Sequence, residues 1–217
     1  LESTPEHPSK IELWHTDMTF RPAPPAFTLL HGQVIPPFGG DTLWANGGTA
    51  YEELPDALKT LVDNLWAVHT NDYDYASAFA NASADRIDYH KQIFASTVYE
   101  TEHPVVRVHP ESGERALLVG HFVKKFVGLS GPDSQRLLAI LQEHVTKPEN
   151  TVRWRWRAND VAIWDNRSTQ HRAVADFGLQ RRTLRRATIA GDVPIAIDGS
   201  RSRAIVPDQQ QTLEAAE

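Results

Sequence analysis

The chain has 217 residues, of which 41% are hydrophobic and 23% charged, a composition typical of folded globular proteins. This length predicts a single domain over residues 1–217, with a core that needs no disulfide to hold it. A net charge of −6 excludes a domain-wide basic surface for nucleic acid, and the lack of cysteine excludes disulfides and thiolate metal sites. No apolar run is long enough for a membrane span and no signal-peptide pattern is visible, so we expect a cytoplasmic protein.

The first third of the chain alternates strand-like runs with turns. Residues 11–20 and 26–35 have the apolar bias of strands, and a short strand is expected at 42–45. A first helix is predicted to begin with a capping box between Thr49 and Glu52. Apolar residues then recur at helical spacing, and we assign them to the core: Leu58, Leu61, Val62 and Leu65.

Residues 71–103 show neither helical nor strand periodicity and are rich in small and polar side chains. A segment of this length without regular elements in a compact domain is usually a functional loop. We therefore expect a lid over an active site, with a surface insertion as the alternative.

The remainder of the chain is predicted to be rich in strands. A hairpin is expected around the turn PESGER, and a helix over 130–145 with Ser130 or Asp133 as its cap. Further strands are expected at 151–157, at the buried-looking run 161–164 and at 183–190, with a disordered tail over 199–217. Many short strands with two helices favour a β-sandwich or barrel.

His15 and Asp17 are the first candidates for chemistry. On an extended segment, residues two apart point to the same side, so the imidazole and the carboxylate would lie next to each other. Two histidines and one carboxylate form a common iron(II) site, but a hydrogen-bonded surface pair would give the same pattern. A third ligand would have to be another histidine. His171 is the best placed because it follows a buried-looking run, although the residues alone leave several others open: His7, His69, His103, His109 and His144.

Four arginines lie near the start of the last predicted long strand. The two-residue period places Arg182 and Arg186 on one face, about 7 Å apart along the strand. Two such guanidiniums suit two separate anions, since each can pair bidentately with a carboxylate or a sulfate-like group. The alternative is an exposed edge strand solvated by arginine.

Four sequence motifs together carry a resemblance to a known family. They are WHTDMTF at 14–20, PPFGGDTLWAN at 36–46, RWRWRANDVAIWDNRSTQHRAV at 153–174 and RRATIAGDVP at 185–194. In this order and spacing they resemble the taurine dioxygenase family of iron(II)- and 2-oxoglutarate-dependent dioxygenases. Within that family the chain is most similar to the alkylsulfatase-type members. The resemblance implies a mostly β domain, a double-stranded β-helix (jelly roll) with flanking helices.

The resemblance also implies roles for individual residues. The iron ligands would be His15, Asp17 and His171. Thr42 and Arg182 would bind 2-oxoglutarate, and Arg186 would bind the sulfate or sulfonate of the substrate. Phe20 and Phe122 would line the substrate pocket. Family members carry a sizeable segment ahead of the His-x-Asp motif, and only fourteen residues precede His15, so we expect the N-terminal part of the family domain to be missing.

The activity implied by the resemblance is oxidative cleavage of an alkyl sulfate ester to an aldehyde and sulfate. Its cofactors would be Fe(II), with 2-oxoglutarate and O2 as cosubstrates, and succinate and CO2 would be coproducts. A taurine or other sulfonate dioxygenase is the nearest alternative, and a metal-dependent hydrolase or a non-catalytic jelly-roll binding module are alternatives from other classes. Nucleic-acid and membrane partners are not expected, while the resemblance favours a homo-oligomer, either a dimer or a tetramer.

Overall fold

The structure, a computed structural model, describes residues 1–3, 13–72 and 98–206. Within these ranges the chain is mostly β, as predicted. The described strands are β1 (Glu2–Ser3), β2 (Phe27–Val34), β3 (Thr42–Asn46), β4 (Trp66–Thr70), β5 (Glu100–Pro104), β6 (Val106–Val108), β7 (Arg115–Leu117), β8 (Val123–Phe126), β9 (Thr151–Trp154), β10 (Val161–Asp165), β11 (Thr169–Ala173), β12 (Arg182–Ile189) and β13 (Arg203–Val206). The described helices are α1 (Gly47–Glu52), α2 (Asp56–Val62) and α3 (Gly131–Thr146), with a 3-10 turn at Pro148–Asn150. None of them is both long and apolar enough to cross a bilayer.

Antiparallel pairing joins the described strands into three sheets and a ribbon. The first sheet has the order β1-β12-β2-β10, the second β11-β3-β9 and the third β13-β5-β4-β8, while β6 and β7 form the ribbon. β2 is the strand around which the first sheet is built, since β12 and β10 pair with its two edges. Its side chains alternate, with Thr28, Leu30 and Gly32 turned to the interior, as the two-residue period of a strand requires.

Two apolar clusters form the described core. The larger one packs the buried face of α3, including Leu141 and Val145, against α1, the end of α2 and strands of the third sheet and the ribbon. The smaller one consists of Leu30, Trp156, Trp164 and Leu184 and lies against the first sheet. Burying each large apolar side chain stabilises the fold by about 1.5–3 kcal/mol.

The second predicted helix is confirmed as α3. Ser130 is its N-cap residue, and the Ser130 hydroxyl oxygen accepts a hydrogen bond from the backbone N–H of Asp133 at 3.2 Å. Leu137, Leu141 and Val145 are buried along one face, as their spacing predicts.

The first predicted helix is partly wrong. Asn46, not Thr49, caps α1, because its side-chain oxygen accepts hydrogen bonds from the N–H groups of Gly48 and Thr49. Pro55 has no N–H to continue the helix, so the chain breaks and restarts as α2. Leu65 consequently lies beyond both helices, and Leu61 is exposed rather than part of the core.

The strands at 26–35, 42–45 and 183–190 and the hairpin around PESGER are confirmed, with ends within a few residues of those predicted. The run 161–164 is not buried as predicted, since the side chains of Val161 and Ile163 are exposed. β10 is an edge strand that pairs only with β2, so one flank faces outward. The regular pattern at 151–157 also ends early, because β9 stops at Trp154 and only Trp156 is buried.

Both segments predicted to be irregular contain strands in their described parts. β5 (Glu100–Pro104) begins inside the segment 71–103, and β13 (Arg203–Val206) lies in the predicted disordered tail, so these parts of the interpretation are wrong. Each strand is held by backbone pairing, which sequence periodicity alone did not reveal. Residues 73–97 and 207–217, which contain most of the predicted lid and tail, lie outside the described residues, as does His7.

A partly buried ion cluster around Asp165 connects β10 to the loop that follows it. The guanidinium of Arg167 donates to both carboxylate oxygens of Asp165, at 2.9 and 2.7 Å, and to Glu111 at 2.8 Å. His109 lies 3.0 Å from the same Asp165 carboxylate. Burial alone would raise the pKa of Asp165, but the hydrogen bonds from Arg167 and His109 outweigh it and lower the pKa to about 2.

We predict that this cluster makes stability depend on pH in the acid range. Because the pKa of Asp165 is lower in the folded chain than in the unfolded chain, its contribution is complete above about pH 4 and is lost as the pH falls toward about 2. Asp165→Asn should lower the free energy of unfolding by about 1–2 kcal/mol near neutral pH. The further loss of stability on acidification should be smaller in this variant than in the wild type. Urea denaturation of both proteins near neutral pH and at about pH 3 measures the difference.

Asp133→Asn is the matched control. The Asp133 carboxylate is 60% exposed and pairs with Arg136 on the surface of α3, where such pairs contribute little. If the two variants changed the free energy of unfolding equally at both pH values, the loss of stability in acid would not come from the Asp165 cluster.

Candidate metal centre and anion sites

His15 is held beside His171 by backbone pairing rather than by a long strand. The N–H of His15 donates to the carbonyl of His171 at 3.0 Å, and the N–H of His171 donates to the carbonyl of His15 at 2.8 Å. His171 lies in β11, where it is paired with Trp44 of β3. The two imidazole rings are therefore neighbours, with centroids 4.3 Å apart.

The side chains of His15, Asp17 and His171 converge on one point. One donor atom from each lies within 4.8 Å of the other two, and all three residues are buried. Asp17 Oδ1 is 3.7 Å from Nε2 of His15 and 3.9 Å from Nε2 of His171. Within residues 1–3, 13–72 and 98–206, no other group of three such side chains is close enough to hold a metal ion. The prediction that these residues come together is thus matched by the geometry.

The protonation states suit metal binding. Burial, followed by the neighbouring His15, lowers the pKa of His171 to about 3, so its ring is neutral at physiological pH. His15 Nδ1 lies 2.8 Å from the carbonyl of Leu13, to which it donates, so Nε2 carries the lone pair. Burial would raise the pKa of Asp17, but His171, His15 and Arg186 outweigh it and lower the pKa, so the carboxylate is ionised. Two imidazoles and one carboxylate are a donor set that iron(II) accepts.

The other histidines considered as third ligands have different surroundings. His69 and His103 pack against each other with ring centroids 5.0 Å apart, and His69 Nδ1 is hydrogen-bonded to the hydroxyl of Thr19. His109 belongs to the Asp165 cluster, and His144 lies in α3. None of them is near enough to His15 and Asp17 to complete the group.

Arg182 is a buried cation whose guanidinium is only partly satisfied. Its Nε and Nη2 atoms have no hydrogen-bond partner among the described residues. Burial lowers the pKa of Arg182 to about 10, with Asp41 opposing that shift. The side chain passes close to Gly40, where a Cβ atom would lie 2.9 Å from Arg182 Cδ, so a side chain at this position would displace it. A buried guanidinium with unpartnered donors can bind an anion.

Thr42 lies beside Asp41 at the start of β3. Its hydroxyl oxygen accepts a hydrogen bond from the indole N–H of Trp156 at 2.9 Å, and it is buried. The hydroxyl hydrogen is thereby directed away from the indole and can be donated to another acceptor. The family resemblance implied a role for Thr42 but did not indicate its hydrogen bond from Trp156.

Arg186 reaches the convergent group directly. Its Nη1 lies 3.4 Å from Asp17 Oδ1, and its side chain is 38% exposed. Arg182 and Arg186 therefore occupy different environments, one enclosed and one at the edge of the site. The pairing of β12 with β2 shifts register between Thr183 and Leu184, so the strict two-residue period assumed for this strand is interrupted there.

Phe122 and Phe20 form an aromatic wall next to His15. The edge of the Phe122 ring contacts the ring of His15 at 6.0 Å between centroids, and Phe20 packs on Phe122 at 5.1 Å. Tyr99 stacks on the outer side of Phe20 at 6.1 Å. Both phenylalanines are thus close to the metal-ligand group, and Tyr99 is a neighbour that the sequence did not single out.

Two residues that the sequence analysis did not assign hold Asp17. The side chain of Asn166 is hydrogen-bonded to the backbone of Asp17, and the hydroxyl of Thr28 donates to its carboxylate. Asn166 stands inside the motif that carried the resemblance, and Thr28 is a polar residue on the buried face of β2. The sequence signal that could have indicated Thr28 is a polar residue on the buried face of a predicted strand.

A cleft of about 820 Å³ opens elsewhere, between β9 and β10. Trp44, Trp154 and Ile163 are among its lining residues, and none of the three convergent ligands is. Trp164 separates the two places, since its ring lies 4.7 Å from the ring of His171 and 5.5 Å from that of Trp44. The candidate metal ligands therefore do not line this cleft, and its volume does not locate the candidate site.

Two related proteins match the sequence of this chain over most of its length. It is 60% identical over 190 residues to the "Alpha-ketoglutarate-dependent sulfate ester dioxygenase" of Pseudomonas putida, a match that covers 88% of the chain and 63% of the relative. It is 54% identical over 199 residues to the "Alkylsulfatase" of Acinetobacter baylyi, covering 92% of the chain and 63% of the relative. The chain thus spans less than two thirds of the length of these relatives.

A solved structure agrees with the same relationship. The taurine dioxygenase from Burkholderia xenovorans superposes with a TM-score of 0.76 at 42% identity, over 93% of this chain and 65% of that one. This likeness confirms the jelly-roll fold that the resemblance implied. The model of the family described as "Taurine catabolism dioxygenase TauD, TfdA family" matches residues 2–188. Fold, sequence and ligand geometry therefore agree, and the chain belongs to the TauD, TfdA family of dioxygenases.

Proposed function

We propose that the protein is an Fe(II)- and 2-oxoglutarate-dependent dioxygenase that cleaves alkyl sulfate esters. In this reaction 2-oxoglutarate loses CO2 and takes up one atom of O2 to become succinate. The other atom hydroxylates a C–H bond of the carbon that bears the sulfate, and that carbon becomes an aldehyde as its bond to the ester oxygen breaks and hydrogen sulfate leaves. The observation that carries the proposal is the buried group formed by His15, Asp17 and His171. The relatives named for sulfate ester oxidation support the choice of substrate.

His15 and His171 would bind Fe(II) through Nε2, and Asp17 through Oδ1. Three protein donors would leave further coordination positions for the cosubstrate and dioxygen. When bound, the iron supplies the oxidation chemistry together with 2-oxoglutarate and O2. The protein contributes two imidazoles, an ionised carboxylate and a buried setting that limits access of water.

Arg182 would bind the distal carboxylate of 2-oxoglutarate. Its Nε and Nη2 donors are buried, so a carboxylate that accepts from both gains charge-assisted hydrogen bonds where water is excluded. Thr42 would donate its hydroxyl to the same cosubstrate while accepting from Trp156. The two contacts fix the orientation of a small dianion.

Arg186 would bind the sulfate group of the substrate. It lies at the more exposed side of the site, within reach of Asp17, where a second anion can enter without displacing the first from Arg182. The rings of Phe20 and Phe122 would lie along the alkyl chain and keep water from it. A sulfonate would fit the same guanidinium, so taurine and other sulfonates are the alternative substrates.

We retain a cytoplasmic location and a homo-oligomeric state as proposals. Most of the predicted lid, residues 73–97, lies outside the described residues, and residues 100–103 belong to β5. The deciding experiment measures succinate formed from 2-oxoglutarate under air, with alkyl sulfates, taurine and phenoxyacetates as separate substrates. Succinate and aldehyde that depend on an alkyl sulfate support the proposal. Sulfate release without 2-oxoglutarate would identify a hydrolase, and ligand binding without turnover would identify a binding module.

We predict that each ligand residue is needed for metal binding. His15→Ala, Asp17→Ala or His171→Ala removes one of three donors, so affinity for Fe(II) and for Co(II) as its substitute should fall at least about tenfold. Succinate formation should be lost with it. Calorimetric titration with Co(II) under nitrogen and a succinate assay measure the two effects.

His144→Ala is the matched control, because His144 lies in α3 away from the ligand group. It should leave both measurements unchanged. Full activity in His171→Ala, with loss of activity in His69→Ala, would show that the third ligand is misassigned.

We predict that Arg182 and Arg186 serve different anions. Removing a charge-assisted contact costs about 1.5–3 kcal/mol, or roughly ten- to a hundredfold in affinity. Arg182→Ala should therefore raise the KM for 2-oxoglutarate most, and Arg186→Ala the KM for the alkyl sulfate. Both constants must be measured in both variants, and Arg185→Ala on the same strand serves as the control. If both variants weakened the same ligand equally, the division of roles would be wrong.

A further inference from the structure

The two oxygens of the Asp17 carboxylate have different partners. Oδ1 faces the centre of the site, where Nε2 of His15 and Nε2 of His171 lie at 3.7 and 3.9 Å and Nη1 of Arg186 lies at 3.4 Å. Oδ2 points away from that centre and accepts a hydrogen bond from the hydroxyl of Thr28 at 2.7 Å. Oδ1 therefore lies beside the two histidine nitrogens, whereas Oδ2 is held by the hydrogen bond from Thr28.

Thr28 is placed so that it cannot easily move. It lies in β2 and is fully buried. β2 is paired on both edges, so that Thr28 stands between Trp164 of β10 and Thr188 of β12. A β-branched side chain on such a strand has few accessible rotamers, which fixes the direction of its hydroxyl.

The backbone of Asp17 is fixed to the same region. The side-chain oxygen of Asn166 accepts the N–H of Asp17 at 2.9 Å, and its amide nitrogen donates to the carbonyls of Asp17 at 3.2 Å and Pro25 at 3.0 Å. Asn166 is itself held by a hydrogen bond from its N–H to the carbonyl of Ala26, next to β2. With the main chain fixed, rotation of the carboxylate is the remaining freedom of Asp17, and Thr28 restricts it.

From these contacts we infer that Thr28 is a positioning residue that makes Asp17 a one-oxygen ligand. The inference rests on the proposed function, in which Asp17 binds iron(II). A carboxylate with two free oxygens can bind a metal through both and take up one of the positions that 2-oxoglutarate and O2 need. The hydrogen bond from Thr28 prevents this and keeps three positions open.

The experiment compares variants that differ in one hydroxyl. Thr28→Val keeps the shape and removes the donor, whereas Thr28→Ser keeps the donor and removes a methyl group. Thr188→Val is the matched control, because it makes the same change directly opposite Thr28 on β12, where the side chain is exposed. Each variant is titrated with Co(II) under nitrogen, and its visible absorption spectrum and its thermal unfolding without metal are recorded.

Loss of the orienting hydrogen bond should weaken Co(II) binding in Thr28→Val by about ten- to a hundredfold and change the Co(II) spectrum. Thr28→Ser should restore both, and Thr188→Val should match the wild type. If Thr28→Val does not fold, Thr28→Ala removes the same hydroxyl without placing a methyl group against the carboxylate, and the same results are expected.

This inference, but not the proposed function, would be overturned if a folded variant without the hydroxyl bound Co(II) with wild-type affinity and an unchanged spectrum. It would also be overturned if Thr28→Ser did not restore the affinity and the spectrum. A different result tests the proposed function. If the wild type bound no Co(II), or if His15→Ala bound it as tightly as the wild type, the metal site itself would be wrong and the role of Thr28 with it.

Discussion

Two backbone hydrogen bonds between His15 and His171 make the candidate site possible. They join the segment that carries two of the ligands to β11, which carries the third and lies far away in sequence. On its other side, this segment is held by the N–H of His121, which donates to the carbonyl of Trp14. The close approach there needs Gly120, whose φ of 137° is unfavourable for other residues and whose added Cβ would lie 3.2 Å from that carbonyl. The candidate ligand group therefore forms only when these separate parts of the chain have docked, so metal binding by it would be coupled to folding.

Two of the buried guanidiniums, those of Arg167 and Arg182, differ in how far their hydrogen-bond donors are satisfied. Arg167 is fully engaged, with Asp165 as a bidentate partner and Glu111 as a second. Arg182 is also buried, yet two of its nitrogen atoms have no partner among the described residues. An unsatisfied buried donor costs about 1–3 kcal/mol, so such an arrangement reduces stability unless a ligand accepts the hydrogen bonds. We expect that cost at a binding site and not in a structural cluster.

The sequence predicted most of the strands and the longer helix because each depends on local signals. The apolar alternation of β2, the turn PESGER and the capping of α3 by Ser130 are examples. Burial was harder to predict, since the exposure of Val161 depends on whether another part of the chain covers that face of β10, and there an open cleft lies instead. The spacing of His15 and Asp17 suggested a pair of ligands, but only the family resemblance chose His171 among the histidines. Thr28 and Asn166 act on Asp17 through contacts across the fold, so the polar position of Thr28 in its strand did not by itself reveal what it binds.

The short segment that follows Asp17 explains why two other buried histidines are not ligands. Met18 has a φ of 54°, in the left-handed region that residues other than glycine seldom adopt, and this turns the chain back toward the third sheet. There the carbonyl of Thr19 accepts a hydrogen bond from Nε2 of His103 at 2.7 Å, and its hydroxyl is bonded to His69 at 2.9 Å. Burial lowers the pKa of His103 to about 4 and that of His69 well below its usual value, so both rings are neutral. They stabilise the strained turn at Met18, and the ligand segment is consequently fixed to all three sheets: to the second through His15, to the first through Asp17 and to the third through Thr19.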